Sequence, residues 1–185
     1  SSHVYGVAPR RAVAEARAEV ATLIGARPEE IVFTSGGTES DNWAILAAAR
    51  ALAHRGRHII TSVIEHPAVL ETCAALEADG FDITRLAVDE NGLVSPAELE
   101  AAMRPDTILI TIMHANNEIG TIEPVEEISR IASRHGVLFH TDAAQSLGKI
   151  PVNVERLGVD MLTVAGHKLY APKGVGAIYI RGGEP

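Results

Sequence analysis

The chain has 185 residues, of which 46% are hydrophobic and 22% charged, with a formal net charge of -8 at pH 7. This composition predicts one globular domain, and the negative charge is spread along the sequence, which argues against nucleic acid or a membrane surface as a partner. Apolar runs are interrupted well before the roughly 20 residues that span a bilayer. Cys73 is the only cysteine, so we expect a cytoplasmic protein without disulfides or a cysteine-based metal cluster.

Short β-branched or apolar runs alternate with segments of helical periodicity. The runs predict strands over Ile31 to Thr34, His58 to Thr61, Ile83 to Leu86, Thr107 to Met113, Val137 to Thr141, Met161 to Val164 and Gly176 to Ile180. The helical segments are Pro9 to Ile24, Ser40 to His54, Pro67 to Ala78, Pro96 to Met103 and Pro124 to Arg134. Their alternation predicts an α/β fold, a mostly parallel sheet with helices on both faces.

The last predicted strand follows a turn, Pro172 to Gly176, that is too short for a helical crossover. We therefore expect this one strand to run antiparallel to its predecessor. No linker or repeat divides the chain, so residues 1–185 are treated as one domain.

A glycine-rich turn, Ser35 to Ser40, follows the first predicted strand and precedes a helix. Glycine lets the backbone approach an anion, and the first N–H groups of a helix lack intrahelical partners. Gly37 and Thr38 are therefore candidate phosphate ligands. The alternative is an ordinary capped turn.

Asp142 and Lys168 end two successive predicted strands. If those strands are neighbours, a carboxylate and an amine emerge at one edge of the sheet. Pyridoxal 5'-phosphate (PLP) needs an amine for its aldehyde, a carboxylate for its pyridine nitrogen and an anion site for its phosphate. Taken singly, Asp142 is better explained as a helix cap or turn residue and Lys168 as a solvated surface lysine. Their arrangement together with the phosphate turn favours a PLP site instead.

Two further polar segments follow predicted strands. His66 lies in a loop at the same edge and is suited to stack on a cofactor ring and move protons, although a capping or surface role is the usual one. Asn116-Asn117 follows the fourth strand, and its amides are suited to orient the ring hydroxyl of a cofactor. The more usual role of Asn-Asn in a loop is to form a turn. His140 and Asp142 lack further metal ligands at a persuasive spacing, so no metal site is predicted. Cys73, inside an amphipathic helix, is expected to be a buried structural thiol.

Several segments, in order, resemble the motifs of cysteine desulfurases and selenocysteine lyases, in the class V branch of fold-type I PLP enzymes. They are Thr34 to Asn42, Glu65-His66, His114 to Gly120, His140 to Lys149 and Gly166 to Gly174. The resemblance implies that the chain is the PLP-binding large domain of such an enzyme.

The resemblance also implies individual roles. Lys168 forms the Schiff base with PLP, and His66 stacks on the ring as an acid-base group; both are catalytic. The other cofactor-binding residues are the phosphate ligands Gly37, Thr38 and His167, the pyridine partner Asp142, and the ring-hydroxyl partners Asn117 and Gln145. Family members are homodimers that remove sulfur or selenium from cysteine or selenocysteine and leave alanine, and in desulfurases the sulfur passes through an enzyme cysteine toward an acceptor protein.

Two departures from the family's pattern limit how much of the family's function the resemblance implies for this chain. Ala165 stands where many desulfurases have a serine that contacts the phosphate. The chain opens at Ser1-Ser2-His3, like the interior of a family motif, and we expect it to lack the extreme N-terminal segment, the catalytic-cysteine loop, the substrate-carboxylate arginine and the small C-terminal domain. We therefore expect these 185 residues to be inactive alone. The alternatives are another class V enzyme, such as an aminotransferase, and a non-catalytic domain that retains the fold.

Overall fold

The structure is a computed structural model that describes residues 3–183; Ser1 and Ser2 of the opening motif lie outside the described residues. Seven strands form one sheet: β1 Ile31–Thr34, β2 His58–Ser62, β3 Asp82–Leu86, β4 Thr107–Thr111, β5 Leu138–Asp142, β6 Met161–Ala165 and β7 Gly176–Ile180. The helices are α1 Val4–Ile24, α2 Gly37–Leu52, α3 Pro67–Ala78, α4 Pro96–Ala101, α5 Val125–His135 and α6 Val154–Leu157. Short 3-10 helices cover Pro28–Glu30 and Gly166–Leu169.

The strand directions bring most loops of interest to one edge of the sheet. The strand order is β1-β7-β6-β5-β4-β2-β3, and strands β2 to β6 pair in parallel. Strand β7 runs antiparallel to both of its neighbours, β1 and β6. Strand β1 therefore has the same direction as β6, and the carboxyl ends of β1 to β6 share an edge with the start of β7. The mostly parallel sheet with one antiparallel strand is confirmed.

Helices cover both faces of the sheet, as predicted. Helices α1, α4, α5 and α6 bury one face over residues such as Ile110, Phe139 and Leu162. Helices α2 and α3 bury the other face over Ile59, Leu109 and Ile178. Burying both faces explains why the central strands are continuous apolar runs rather than alternating ones.

The structure corrects several predicted boundaries. Helix α1 begins at Val4, so Pro9 lies inside it rather than in its first turn. Most of this added segment is exposed, which is why hydrophobic periodicity did not mark it. Strand β4 ends at Thr111, before Met113. The short helix α6 was not predicted, because one turn is too short to show a period.

Within the described residues, no helix has both the length and the apolar character needed to cross a membrane.

Candidate active-site cleft

A cleft of 490 Å³ opens beyond the carboxyl edge of the sheet. The residues to which the family resemblance gave catalytic or cofactor-binding roles all lie in its wall: Gly37, Thr38, His66, Asn117, Asp142, Gln145, His167 and Lys168. These residues follow five different strands, and the shared strand direction brings them together.

The glycine-rich turn after β1 forms one wall of the cleft. Helix α2 begins at Gly37, and Gly36 is its N-cap. A Cβ added to Gly37 would lie 3.2 Å from the Cβ of Ala165, so the turn lies close against the end of β6. Ser40 ties the turn to β7, because its Oγ donates to the carbonyls of Gly36 and Ala177, both at 3.1 Å. This arrangement aims the start of a helix at the cleft, where an anion is favoured.

One acid shares this turn. The carboxylate of Glu39 accepts the Ser35 N–H at 2.5 Å, and that bond lowers the pKa of Glu39. The Ser35 N–H is therefore already paired, and a phosphate would depend on the N–H groups of Gly37 and Thr38 and on the Thr38 hydroxyl.

Asp142 ends β5 on the floor of the cleft and is 7% exposed. Its Oδ1 accepts the Ala144 N–H at 2.8 Å. Burial raises the pKa of Asp142, while this backbone bond and the positive charge of Lys168 act to lower it. The carboxyl is therefore held where a nearby cation stabilises its ionised form.

Lys168 and His167 lie on the 3-10 helix that follows β6, and both side chains are exposed to the cleft. The loop after them folds back, because the Gly166 N–H donates to the Val175 carbonyl at 3.0 Å. A Cβ at Gly166 would lie 2.6 Å from that carbonyl oxygen, so only glycine permits this approach. Tyr170 has a left-handed backbone with φ of 62°, which is strained for a bulky residue. The loop also brings Lys173, a residue without a predicted role, to the cleft.

His66 is the N-cap of α3. Its Nδ1 accepts the Ala68 N–H at 3.1 Å. A ring nitrogen that accepts a hydrogen bond carries no proton, so in the neutral ring the proton is on Nε2. His66 therefore has the capping role that was the alternative in the sequence analysis. Its Nε2 is the nitrogen left for a ligand.

The two amide candidates differ in their surroundings. Gln145 is half-buried, and its Oε1 has no hydrogen-bond partner among the described residues. Asn117 is exposed on the cleft wall. Asn116, by contrast, is a buried turn residue whose Oδ1 accepts the N–H groups of Glu118 and Ile119 at 2.8 and 3.0 Å. Of this Asn-Asn pair, only Asn117 lines the main cleft.

The sequence reasoning missed Asp41, which is 1% exposed and lies on α2 facing the cleft. Its Oδ1 has no hydrogen-bond partner among the described residues. Burial raises the pKa of Asp41 well above its usual range, and the charge of Asp142 raises it further. The sequence did contain a sign of this buried acid. Asp41 lies on the same face of the helix as the apolar residues Ala44, Ile45 and Ala48, which pack toward the sheet.

His140 lies beneath Asp41, with 3.7 Å between its Nε2 and the Asp41 Oδ1. Burial lowers the pKa of His140 to about 3, so the ring is neutral and this contact is not an ion pair. His140 instead shares hydrogen bonds with the hydroxyls of Thr111 and Thr163 at 2.9 and 3.0 Å. No group of metal-binding side chains occurs within residues 3–183.

Cys73 is fully buried in α3, as expected. Burial raises the pKa of its thiol to about 12, and the side chain does not line the cleft. The thiolate, which is the nucleophilic form, is therefore disfavoured here.

Comparison with known proteins bears on this cleft. The profile of the family described as "Aminotransferase class-V" matches residues 1–183. A relative named "Cysteine desulfurase IscS" from Dictyoglomus turgidum is 59% identical over 183 residues, which cover 99% of this chain and 46% of the relative. The chain thus spans about half the length of the curated relatives it matches.

Solved structures agree with this family match. One described as "SspA in complex with cysteine" is 47% identical with a TM-score of 0.95, over 98% of this chain and 52% of the other. A "NIFS-LIKE PROTEIN" is 45% identical with a TM-score of 0.96, over 100% of this chain and 51% of the other. Both likenesses extend to the sheet and the cleft described above.

The cap formed by His66 predicts a contrast between two substitutions. We expect His66→Ala to lower the free energy of unfolding by about 1 kcal/mol, because the Ala68 N–H loses its acceptor. His66→Asn should lower it by much less, since the asparagine oxygen caps helices well. Urea unfolding measures both changes, and equal losses in the two variants would contradict the capping role.

Glu65, next to His66, predicts a dependence of stability on pH. Burial raises the pKa of Glu65 from 4.5 to about 8. Between these values the folded chain keeps a proton that the unfolded chain loses, so wild-type stability falls as the pH rises through this range.

Glu65→Gln stays neutral. We therefore expect its free energy of unfolding, relative to wild type, to increase by at least about 1 kcal/mol between pH of about 5 and about 8. Urea unfolding at a series of pH values measures the difference, and a difference independent of pH would be the contrary result.

Proposed function

We propose that this chain, which belongs to the class-V aminotransferase family, is the PLP-binding portion of a cysteine desulfurase. The observation that carries the proposal is the meeting of Lys168, Asp142 and the turn at Gly37 and Thr38 in one cleft. An amine, a buried carboxyl and a helix start are the three groups that PLP requires, and they come from separate parts of the chain.

The residues of the cleft fit the cofactor. The unpaired Oε1 of Gln145 gives the amide a free position for a polar ring substituent. A Cβ on Gly37 would lie 3.2 Å from the Cβ of Ala165, so the turn packs closely against β6. Glycine at this position leaves the backbone N–H groups of the turn uncovered by a side chain, which suits a phosphate. Ala165 offers no hydroxyl there, so the phosphate contacts would come from the turn and from His167.

Each residue has a defined task in this proposal. The Lys168 Nζ would hold PLP through the aldehyde of the cofactor. The Asp142 carboxylate would hold the proton on the pyridine nitrogen, while Gln145 and Asn117 would orient the ring hydroxyl. When bound, PLP withdraws electrons from the bonds at the α-carbon of an amino-acid substrate. His66 would lie against the ring, with Nε2 as the atom that holds or moves a proton.

Cysteine is the substrate we propose, with selenocysteine as the alternative. The relatives named cysteine desulfurase and the neighbour described in complex with cysteine support cysteine. We also propose that the whole protein is a cytoplasmic homodimer that passes sulfur to an acceptor protein, as in iron–sulfur cluster assembly. The support for these last points is the family resemblance.

Asp142→Asn tests the pyridine partner. We expect it to weaken PLP binding by about tenfold, because an amide cannot hold the pyridine proton by charge. Stability at neutral pH should be unchanged or higher, since burial disfavours the ionised carboxyl of wild type. A PLP titration and urea unfolding measure the two effects.

Asp160→Asn is the matched control. Asp160 also accepts a backbone N–H, that of Phe139 at 2.8 Å, and burial also raises its pKa, but it precedes β6 at the opposite edge of the sheet. This control should leave PLP affinity unchanged. Equal affinities for wild type and Asp142→Asn would show that the role given to Asp142 is wrong.

The 185-residue chain by itself should not desulfurate cysteine over many turnovers. Moving sulfur from the substrate needs an accessible thiolate, and Cys73 is buried with a pKa raised to about 12. The assay supplies PLP, cysteine and a reductant and measures alanine and sulfide. Sustained equimolar release that Lys168→Ala abolishes would show that the chain contains a complete active site.

A further inference from the structure

Glu65 is a buried acid in an otherwise exposed loop between β2 and α3. It is 5% exposed, whereas Val63 and His66 on either side are exposed. Removing a carboxyl group from water is costly unless hydrogen bonds compensate. From the sequence, Glu65 was assigned only to a family motif and had no individual role.

The Oε1 of Glu65 joins two loops. It accepts the Ser62 hydroxyl at 2.6 Å and the Met113 N–H at 3.0 Å. Ser62 ends β2, and Met113 lies just beyond the end of the neighbouring strand β4. A second bridge lies beside this one, because the Asn116 Nδ2 donates to the Ile64 carbonyl at 3.0 Å. The side chain of Glu65 thus connects the two backbones where the β2–β4 ladder has ended.

Both loops form part of the cleft. His66 comes from the first loop, and Met113, Ala115 and Asn117 come from the second. We propose that Glu65 is a positioning residue that fixes the His66 ring beside the cofactor by joining these two loops. The inference rests on the proposed function of the cleft.

The protonation state of Glu65 decides which substitution can replace it. Burial raises its pKa to about 8, and the charges of Asp142 and Glu123 contribute to that increase. Asp41 and Cys73 also interact with Glu65, and neither is a cation that would lower the pKa of Glu65. At neutral pH the carboxyl therefore keeps a proton. Oε1 accepts both donors, whereas Oε2 has no partner among the described residues. A glutamine reproduces this acceptor, but a methionine of similar length does not.

Glu123 is a matched control in the same chain. It is 4% exposed, and its Oε2 accepts the Val94 N–H at 2.9 Å. Its other oxygen lacks a partner among the described residues, and burial raises its pKa. Glu123 does not line the cleft. Glu65→Met and Glu123→Met therefore each remove a buried carboxyl that accepts a backbone N–H, one beside the cleft and one away from it.

The first measurement needs no cofactor. Hydrogen exchange of the Ala68 N–H, which donates to the His66 ring, reports whether that ring stays in place in the ligand-free chain. We expect Glu65→Met to speed this exchange by about tenfold, and Glu65→Gln and Glu123→Met to change it by less than about twofold. If Glu65→Met does not fold, Glu65→Asp, which keeps the carboxyl but shortens its reach, should show the same acceleration.

The second measurement is a PLP titration of the same variants. Glu65→Met should raise the dissociation constant by about tenfold, Glu65→Gln should restore it to within about twofold, and Glu123→Met should leave it near wild type. Equal effects of the two methionine variants, or a glutamine variant as impaired as Glu65→Met, would overturn the positioning role. Failure of wild type to bind PLP would refute the proposed function, while exchange at Ala68 would still decide the role of Glu65.

Discussion

The cleft depends on β7 running antiparallel between β1 and β6. Because β7 is antiparallel to both neighbours, β1 and β6 run in the same direction. The turn after β1 therefore lies at the same edge of the sheet as Asp142 and Lys168, although more than a hundred residues of chain separate it from them. The contact is close: a Cβ at Gly176, where β7 begins, would lie 2.7 Å from the Cα of Gly36. A larger residue at Gly176 would displace the turn that is proposed to bind phosphate.

Electrostatics distinguishes the three acids near the cleft floor. Burial raises the pKa of Asp41, Glu65 and Asp142 alike. Only for Asp142 does the cation Lys168 act to lower the pKa. Asp142 is therefore the acid best placed to carry a negative charge, while Asp41 and Glu65 are suited to act as neutral hydrogen-bonding groups. In the proposed complex this division would let the Asp142 carboxylate face the pyridine ring without repulsion from two other charged acids.

The residue pattern was sufficient to predict the strands and the site residues that come directly after them. Lys168, Asp142 and His66 stand where a strand ends, and parallel strands must bring such positions to a shared edge. Asp41 and Glu65 were not assigned roles, because the first lies inside a helix and the second is defined by a contact with Met113 far along the chain. The position of β1 next to β7 was likewise not predicted, since only pairing across the whole sequence determines it.

The central claim is that the cleft holds PLP through Lys168. The chain has three lysines, Lys149, Lys168 and Lys173, and two of them line the cleft. The most direct test adds PLP to the folded chain, reduces the adduct with borohydride and maps the labelled peptide. We expect one pyridoxyl group, attached to Lys168. A label confined to Lys173 or Lys149, or no label on protein shown to be folded, would contradict it.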